Sequence, residues 1–306
     1  MSTPRWIGAD EVSRALSFVE CTDVLERALR DGLDPSLGPA RTGTPLDLGE
    51  LLVMPSQGLG FAGAKLVTVS PENPARGLPT IQGVFVLLAG ASGEVLAVID
   101  APALTSLRTP AVSALAARHL CHRTGGSLVV FGAGPQAHGH VHALLATVEG
   151  IDDVVVVSPR NAGALVRELR DEGVEAREGR VADVADAGIV VCATSAGRPL
   201  FPGELVADDA VVLAVGSHHP ARRELDGGLL GRSSVVVEDV ATAQREAGDV
   251  VMAVAEGFLS WSHVVGLAGL VRGSDPVTGA GPRLFKGVGM AWQDLVTAAE
   301  VFRRVS

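Results

Sequence analysis

Apolar positions change period twice along the chain. Between residues 11 and 32, Val12, Ala15, Leu16, Val19, Val24, Leu25 and Ala28 recur at steps near three and four, which predicts a helix. Residues 33–46, rich in Pro, Gly and Thr, read as a loop. Short apolar runs at 50–54, 61–69, 81–88 and 95–100 predict strands, with 71–79 as a connection and 90–93 as a hairpin turn.

From residue 101 the pattern differs. Residues 103–119 are alanine-rich with helical spacing. Strands predicted at 127–131, 153–158, 188–192, 210–215 and 234–238 then alternate with helices near 135–148 and 162–172. Such alternation predicts an α/β domain with a doubly wound parallel sheet. Residues 287–305 return to a helical period through Met290, Leu295, Ala298, Val301 and Phe302. The expected architecture is a Rossmann-like domain over 119–287, inserted in an α+β lobe made of 1–118 plus 288–306.

One segment carries specific chemistry. The run Leu128–Phe131 leads into Gly132-Ala133-Gly134-Pro135-Gln136-Ala137, a G-x-G-x-x-A turn between a strand and a helix. This is the dinucleotide fingerprint in its required context. The first glycine permits the tight turn, the second admits a pyrophosphate, and the helix N-terminus presents free N–H groups to it. The second strand of such a domain usually ends in an acid that holds the ribose 2′-OH of NAD. Here Ser158-Pro159-Arg160 stands instead. A hydroxyl and a guanidinium suit a 2′-phosphate, so NADP(H) is favoured and NAD(H) remains possible.

The formal charge of −10 disfavours nucleic acid and anionic membranes as partners. No apolar stretch reaches the about 20 residues of a membrane helix, and no signal-peptide core is visible. Three cysteines without metal-type spacing suggest a reducing compartment, so the expected location is cytoplasmic.

Charged residues in apolar surroundings are the candidates for chemistry. Lys65 interrupts the run 61–69, either to meet an anion or as an edge-strand lysine reaching solvent. Arg108 is the lone charge between residues 101 and 117, at the entry to the alanine-rich helix; it suits a carboxylate, unless it is a solvated helix-end arginine. Arg41, in a loop, is a weaker candidate. His218, beyond the strand ending at Val215, sits where ligands bind in these folds and can move protons near neutral pH, unless it is only a solvated turn. His138, His140 and His142 have no acid or cysteine near them in sequence, so they read as partly exposed helix histidines and no metal is expected. No hydrolase or kinase motif occurs.

Several stretches together have a family character. They are Lys65-Leu66-Val67, Asn73-Pro74-Ala75-Arg76-Gly77-Leu78-Pro79-Thr80, Leu107-Arg108-Thr109-Pro110-Ala111 and the glycine turn. Ala214-Val215-Gly216-Ser217, Arg223-Glu224-Leu225-Asp226 and Phe285-Lys286-Gly287-Val288-Gly289-Met290-Ala291 follow, with Asp294 beyond. In this the chain resembles the ornithine cyclodeaminase/mu-crystallin family over nearly its whole length. The resemblance implies a homodimeric, nicotinamide-dependent enzyme acting on amino or imino acids. It assigns Lys65 and Arg108, and loosely Arg41, to the substrate carboxylate. Thr80, Pro135, Gln136, Ser158, Thr194 and Val215 fall at cofactor positions, alongside Gly132, Gly134 and Arg160 from the residue reading. Cyclodeaminases of this family carry a Glu where Leu52 stands and an Asp where His218 stands. Without those acids a second ammonium has no partner, although Glu50 would lie on the same strand face as Leu52.

The expected function is therefore NAD(P)H-dependent reduction of a small cyclic or linear 2-imino acid, with Lys65 and His218 as proton-handling residues. The alternatives are an ornithine- or lysine-type cyclodeaminase releasing ammonia, or a non-catalytic NADP-dependent binding protein.

Overall fold

The computed structural model describes residues 3–121 and 126–306, and the chain divides into two compact units, residues 1–109 with 290–306 and residues 110–289. The seams thus fall at 109/110 and 289/290, where the hydrophobic pattern suggested 118/119 and 287/288.

The first unit opens with β1 (Arg5–Ile7), α1 (Ala9–Ala15) and α2 (Phe18–Arg30). The single helix expected over 11–32 is broken at Ser17. Its hydroxyl accepts from Glu20 N–H, and the Glu20 carboxylate accepts from Ser17 N–H, a capping box that starts α2 afresh. β2 (Thr42–Leu46) follows, so part of the expected loop is a strand. Its five residues are all exposed, and among the described residues it pairs on one side only, as the outer strand beside β3 (Gly49–Gly58), where Pro45 is tolerated. β4 (Phe61–Val69), β5 (Ile81–Ala89) and β6 (Val95–Asp100) complete a sheet of order β1-β6-β5-β4-β3-β2 among the described residues. Residues on one face alternate into the core: Met54 on β3, Lys65 on β4, Phe85 on β5 and Ile99 on β6 form one cross-strand row.

α3 (Ala101–Leu120) runs from the first unit into the second, with Pro110 inside it. The second unit then winds β7 (Gly126–Phe131), α4 (Pro135–Thr147), β8 (Ile151–Val157), α5 (Ala162–Asp171), β9 (Ala176–Glu178), β10 (Ala187–Cys192), β11 (Val211–Ala214), α6 (Gly227–Arg232), β12 (Ser234–Val237), α7 (Val240–Glu246), α8 (Gly248–Ala255), β13 (Val264–Gly266), α9 (Leu267–Arg272) and β14 (Arg283–Lys286). All its strand pairs are parallel, in the order β13-β12-β14-β11-β10-β7-β8-β9. Strand order reverses beside β7, between β8 on one flank and β10 on the other, which is where such sheets bind ligands. Val129, Val155, Val190, Val212 and Leu284, each buried, fill the core of this unit.

The chain ends in α10 (Ala291–Val305), back in the first unit. Leu295, Val296 and Ala299 are buried, and the helix contacts β3, β4, β5 and α2. No described helix is long and apolar enough to cross a membrane.

Candidate active site

In the first unit the structure brings Lys65 and Arg108 together around a third residue, Asp294. β4 lies between β3 and β5, so Lys65 is not on an edge, and it is 3% exposed. Its Nζ donates to Asp294 Oδ2 at 2.8 Å and reaches Thr105 Oγ1 at 3.5 Å. Arg108 stands mid-helix rather than at a helix entry, because α3 starts seven residues earlier, at Ala101. It is 5% exposed; its Nε donates to Asp294 Oδ1 at 3.2 Å and its Nη1 to Gln293 Oε1 at 2.9 Å. Two buried cations thus share one buried carboxylate.

The Lys65 ammonium is brought down to about 8, burial being the largest cause. Asp294 opposes burial, while the charges of Arg108 and Arg41 add to it. Burial alone would raise the Asp294 carboxyl, but Arg108 and Lys65 outweigh it and hold it below its ordinary value. Arg41 is half-buried, just before β2. Leu52 packs in an apolar cluster with Val67 and Ala101. Glu50 lies on the same face of β3, since a Cβ placed on Gly43 would meet both side chains, but it is exposed at the end of the strand. Thr80 is half-buried just ahead of β5, and its carbonyl accepts from Ser70 N–H at 2.8 Å.

Asp294 and Gln293 are the residues the sequence reading did not place in the site. Their signal was present: Asp294 falls on the apolar stripe of α10, between Met290 and Ala298, where a lone acid needs partners.

In the second unit the expected cofactor residues gather at the carboxyl ends of the parallel strands. Gly132 follows β7 with φ of +118°, and a Cβ there would sit 2.5 Å from the Ala193 carbonyl oxygen, so only glycine fits. Gly134 caps α4, with Pro135 in the first turn and Gln136 after it; a Cβ on Gly134 would meet nothing within 4 Å. Open space at a helix N-terminus, reached through a turn that tolerates no side chain, fits a pyrophosphate. Ser158 follows β8. Its hydroxyl donates to the Arg160 carbonyl at 2.6 Å, closing a turn with Arg160 exposed. Thr194 follows β10 and Val215 follows β11. His218 is exposed on the loop beyond β11.

Those loops are tied by an acid that stands in one of the family stretches but had no role assigned from the sequence. Glu224, fully buried, accepts from Thr194 N–H and Oγ1–H through one oxygen and from Gly216 N–H through the other. Burial raises its carboxyl, against the pull of Lys286. Asp249 accepts from the Glu224 and Leu225 amides, and its other oxygen stands 3.1 Å from Lys286 Nζ as an ion pair outside hydrogen-bond geometry.

The three histidines of α4 differ from the expectation. His140 is fully buried, between the Gln136 carbonyl at 2.7 Å and Ser113 Oγ at 2.9 Å, and burial lowers it to about 4. His138 and His142 are partly exposed as expected, but an acid does stand near them: Glu172, brought over at the end of α5.

Residues 7–306 match the ornithine cyclodeaminase/mu-crystallin family. The chain belongs to that family. A Delta(1)-pyrroline-2-carboxylate/Delta(1)-piperideine-2-carboxylate reductase of Azospirillum brasilense is 34% identical over 293 residues, 94% of this chain and 91% of its own. The solved structure of the Thermococcus litoralis Delta(1)-pyrroline-2-carboxylate reductase, in complex with NADH and L-proline, is similar with a TM-score of 0.91 at 26% identity, covering 98% of this chain and 97% of that one. An archaeal alanine dehydrogenase dimer with bound NAD gives a TM-score of 0.91 at 27% identity, covering 99% and 96%.

Proposed function

We propose that the chain is an NAD(P)H-dependent oxidoreductase that reduces the C=N bond of a small 2-imino acid, with Δ1-pyrroline-2-carboxylate as the first candidate substrate. The observation that carries this reading is the Lys65–Arg108–Asp294 cluster. Two cations against one carboxylate leave one unit of positive charge in a buried place, which a substrate carboxylate neutralises. Leu52 and its apolar neighbours suit a small hydrocarbon ring better than the second ammonium of ornithine or lysine.

Nicotinamide, when bound, supplies hydride chemistry. Gly132, Gly134, Pro135 and Gln136 would hold its pyrophosphate, and Thr80, Ser158, Arg160, Thr194 and Val215 the rest of the dinucleotide. Arg108, with Arg41, would bind the substrate carboxylate. Lys65 holds a proton at Nζ with an affinity near working pH, and can give it to the imine nitrogen as that nitrogen becomes an amine. Asp294 positions both cations. His218 would relay protons at the nitrogen side. The hydroxyl and guanidinium after β8 favour NADP(H) over NAD(H).

A homodimer is part of the reading. The face of the first unit's sheet opposite the core carries Leu51, Val53, Ala64, Leu66, Val84 and Val86, all only half-buried in a single chain. The test is turnover of Δ1-pyrroline-2-carboxylate with NADPH and with NADH. Equimolar cofactor oxidation and proline formation support the proposal; ammonia release from ornithine without net cofactor change replaces it with cyclisation.

A further inference from the structure

We infer that His138, His142 and Glu172, with Glu168 as a fourth ligand, form a binding site for a divalent transition-metal ion of the zinc class, joining α4 to α5. His138 and His142 are one turn apart on α4, so both rings leave the same face. Their centroids are 4.6 Å apart, and each Nε2 points at the same carboxylate oxygen, Glu172 Oε2, at 2.9 and 2.8 Å. The three ligand atoms lie within 4.8 Å of one another. One turn before Glu172 on α5, Glu168 brings Oε1 to 3.9 Å from His138 Nε2. Each helix therefore offers a pair spaced by four residues, two imidazoles facing two carboxylates.

Two nitrogens and two carboxylate oxygens are a donor set that zinc accepts in tetrahedral geometry. Bonds of about 2.0–2.2 Å set tetrahedral ligand atoms about 3.3 Å apart. Around an ion the two imidazole contacts to Glu172 would open by roughly 0.5 Å, and Glu168, now 3.9 Å from His138 Nε2, would close by about as much. All four side chains are at least a quarter exposed, which leaves them rotamer freedom to do so. The carboxylates also stand at the C-terminal end of α5, where the helix dipole favours a cation. An ion there would replace two N–H···O contacts on one oxygen with four bonds, and fasten the helix that follows the glycine turn to its neighbour.

The test uses the full chain stripped with a chelator and titrated with Co²⁺, then Zn²⁺. Expected are one Co²⁺ per chain with a tetrahedral visible spectrum, displacement by Zn²⁺ at a Kd tighter than about 10 μM, and a melting temperature raised by a few degrees. His142→Ala and Glu172→Gln should each weaken binding at least about tenfold while melting like the metal-free parent. An octahedral spectrum, a Kd weaker than that limit, or binding that survives both substitutions overturns the proposal.

Discussion

Lys65 Nζ stands 2.8 Å from Asp294 Oδ2, with both side chains shut away from solvent. This contact decides how much of the Lys65 charge survives near neutral pH. Burial and the neighbouring arginines push the ammonium down and Asp294 holds it up, with the balance at about 8.

Asp294→Asn removes that support, so Lys65 loses its proton at a lower pH. If the Lys65 proton is the one delivered, the alkaline limb of the kcat/KM profile moves to lower pH. Activity at pH 9 should fall about tenfold further than at pH 6.5 for each unit moved. A uniform loss at all pH values would assign Asp294 a purely structural part.

The glycine turn separates folding from binding. Gly132→Ala forces a Cβ against the Ala193 carbonyl at a left-handed φ and should destabilise the protein by about 2–4 kcal/mol. Gly134→Ala meets no protein atom, so its melting temperature should hold while dinucleotide affinity drops at least about tenfold. Thermal melts beside NADPH titrations distinguish the two; equal destabilisation in both variants would contradict the assignment of open space to phosphate.

His140 makes the fold acid-sensitive. Its neutral ring donates from Nδ1 to the Gln136 carbonyl and accepts at Nε2 from Ser113. With a folded pKa of about 4 against 6.5 for a free imidazole, the unfolded chain binds more protons between those values. Stability from this group is complete above pH 6.5 and is lost as pH falls to 4, by about 3 kcal/mol. Urea unfolding of His140→Gln should show a shallower decline over that window than the parent; parallel declines would rule out this origin.

Cofactor choice is readable at one strand end. Ser158→Asp puts a carboxylate where the 2′-phosphate is proposed to lie. The ratio of kcat/KM for NADPH over NADH should fall at least about tenfold. An unchanged ratio would mean that the turn after β8 does not touch the ribose.

Much of this was legible in the sequence because local pattern and tertiary fate agree. β4 and β6 fall on their apolar runs, and the strand–glycine–helix order of β7 and α4 is specified by steric need at Gly132. What escaped depends on contacts distant in sequence. Ser17 breaks a continuous apolar stripe because a capping box outweighs it. Short β14 lies between β11 and β12, a placement that a four-residue run cannot announce. Asp294 acquires its meaning from Lys65, 229 positions away. Glu172 reaches His138 and His142 only because α5 returns beside α4.

The central claim is that Arg108 recognises a carboxylate. The most direct measurement compares reduction of Δ1-pyrroline-2-carboxylate with that of Δ1-pyrroline, which lacks the acid group, in the parent and in Arg108→Ala. The account predicts that the parent prefers the acid by at least about a hundredfold, worth about 3 kcal/mol, and that the substitution removes most of the preference. An Arg108→Ala enzyme that slows equally on both compounds, or keeps its preference intact, would contradict it.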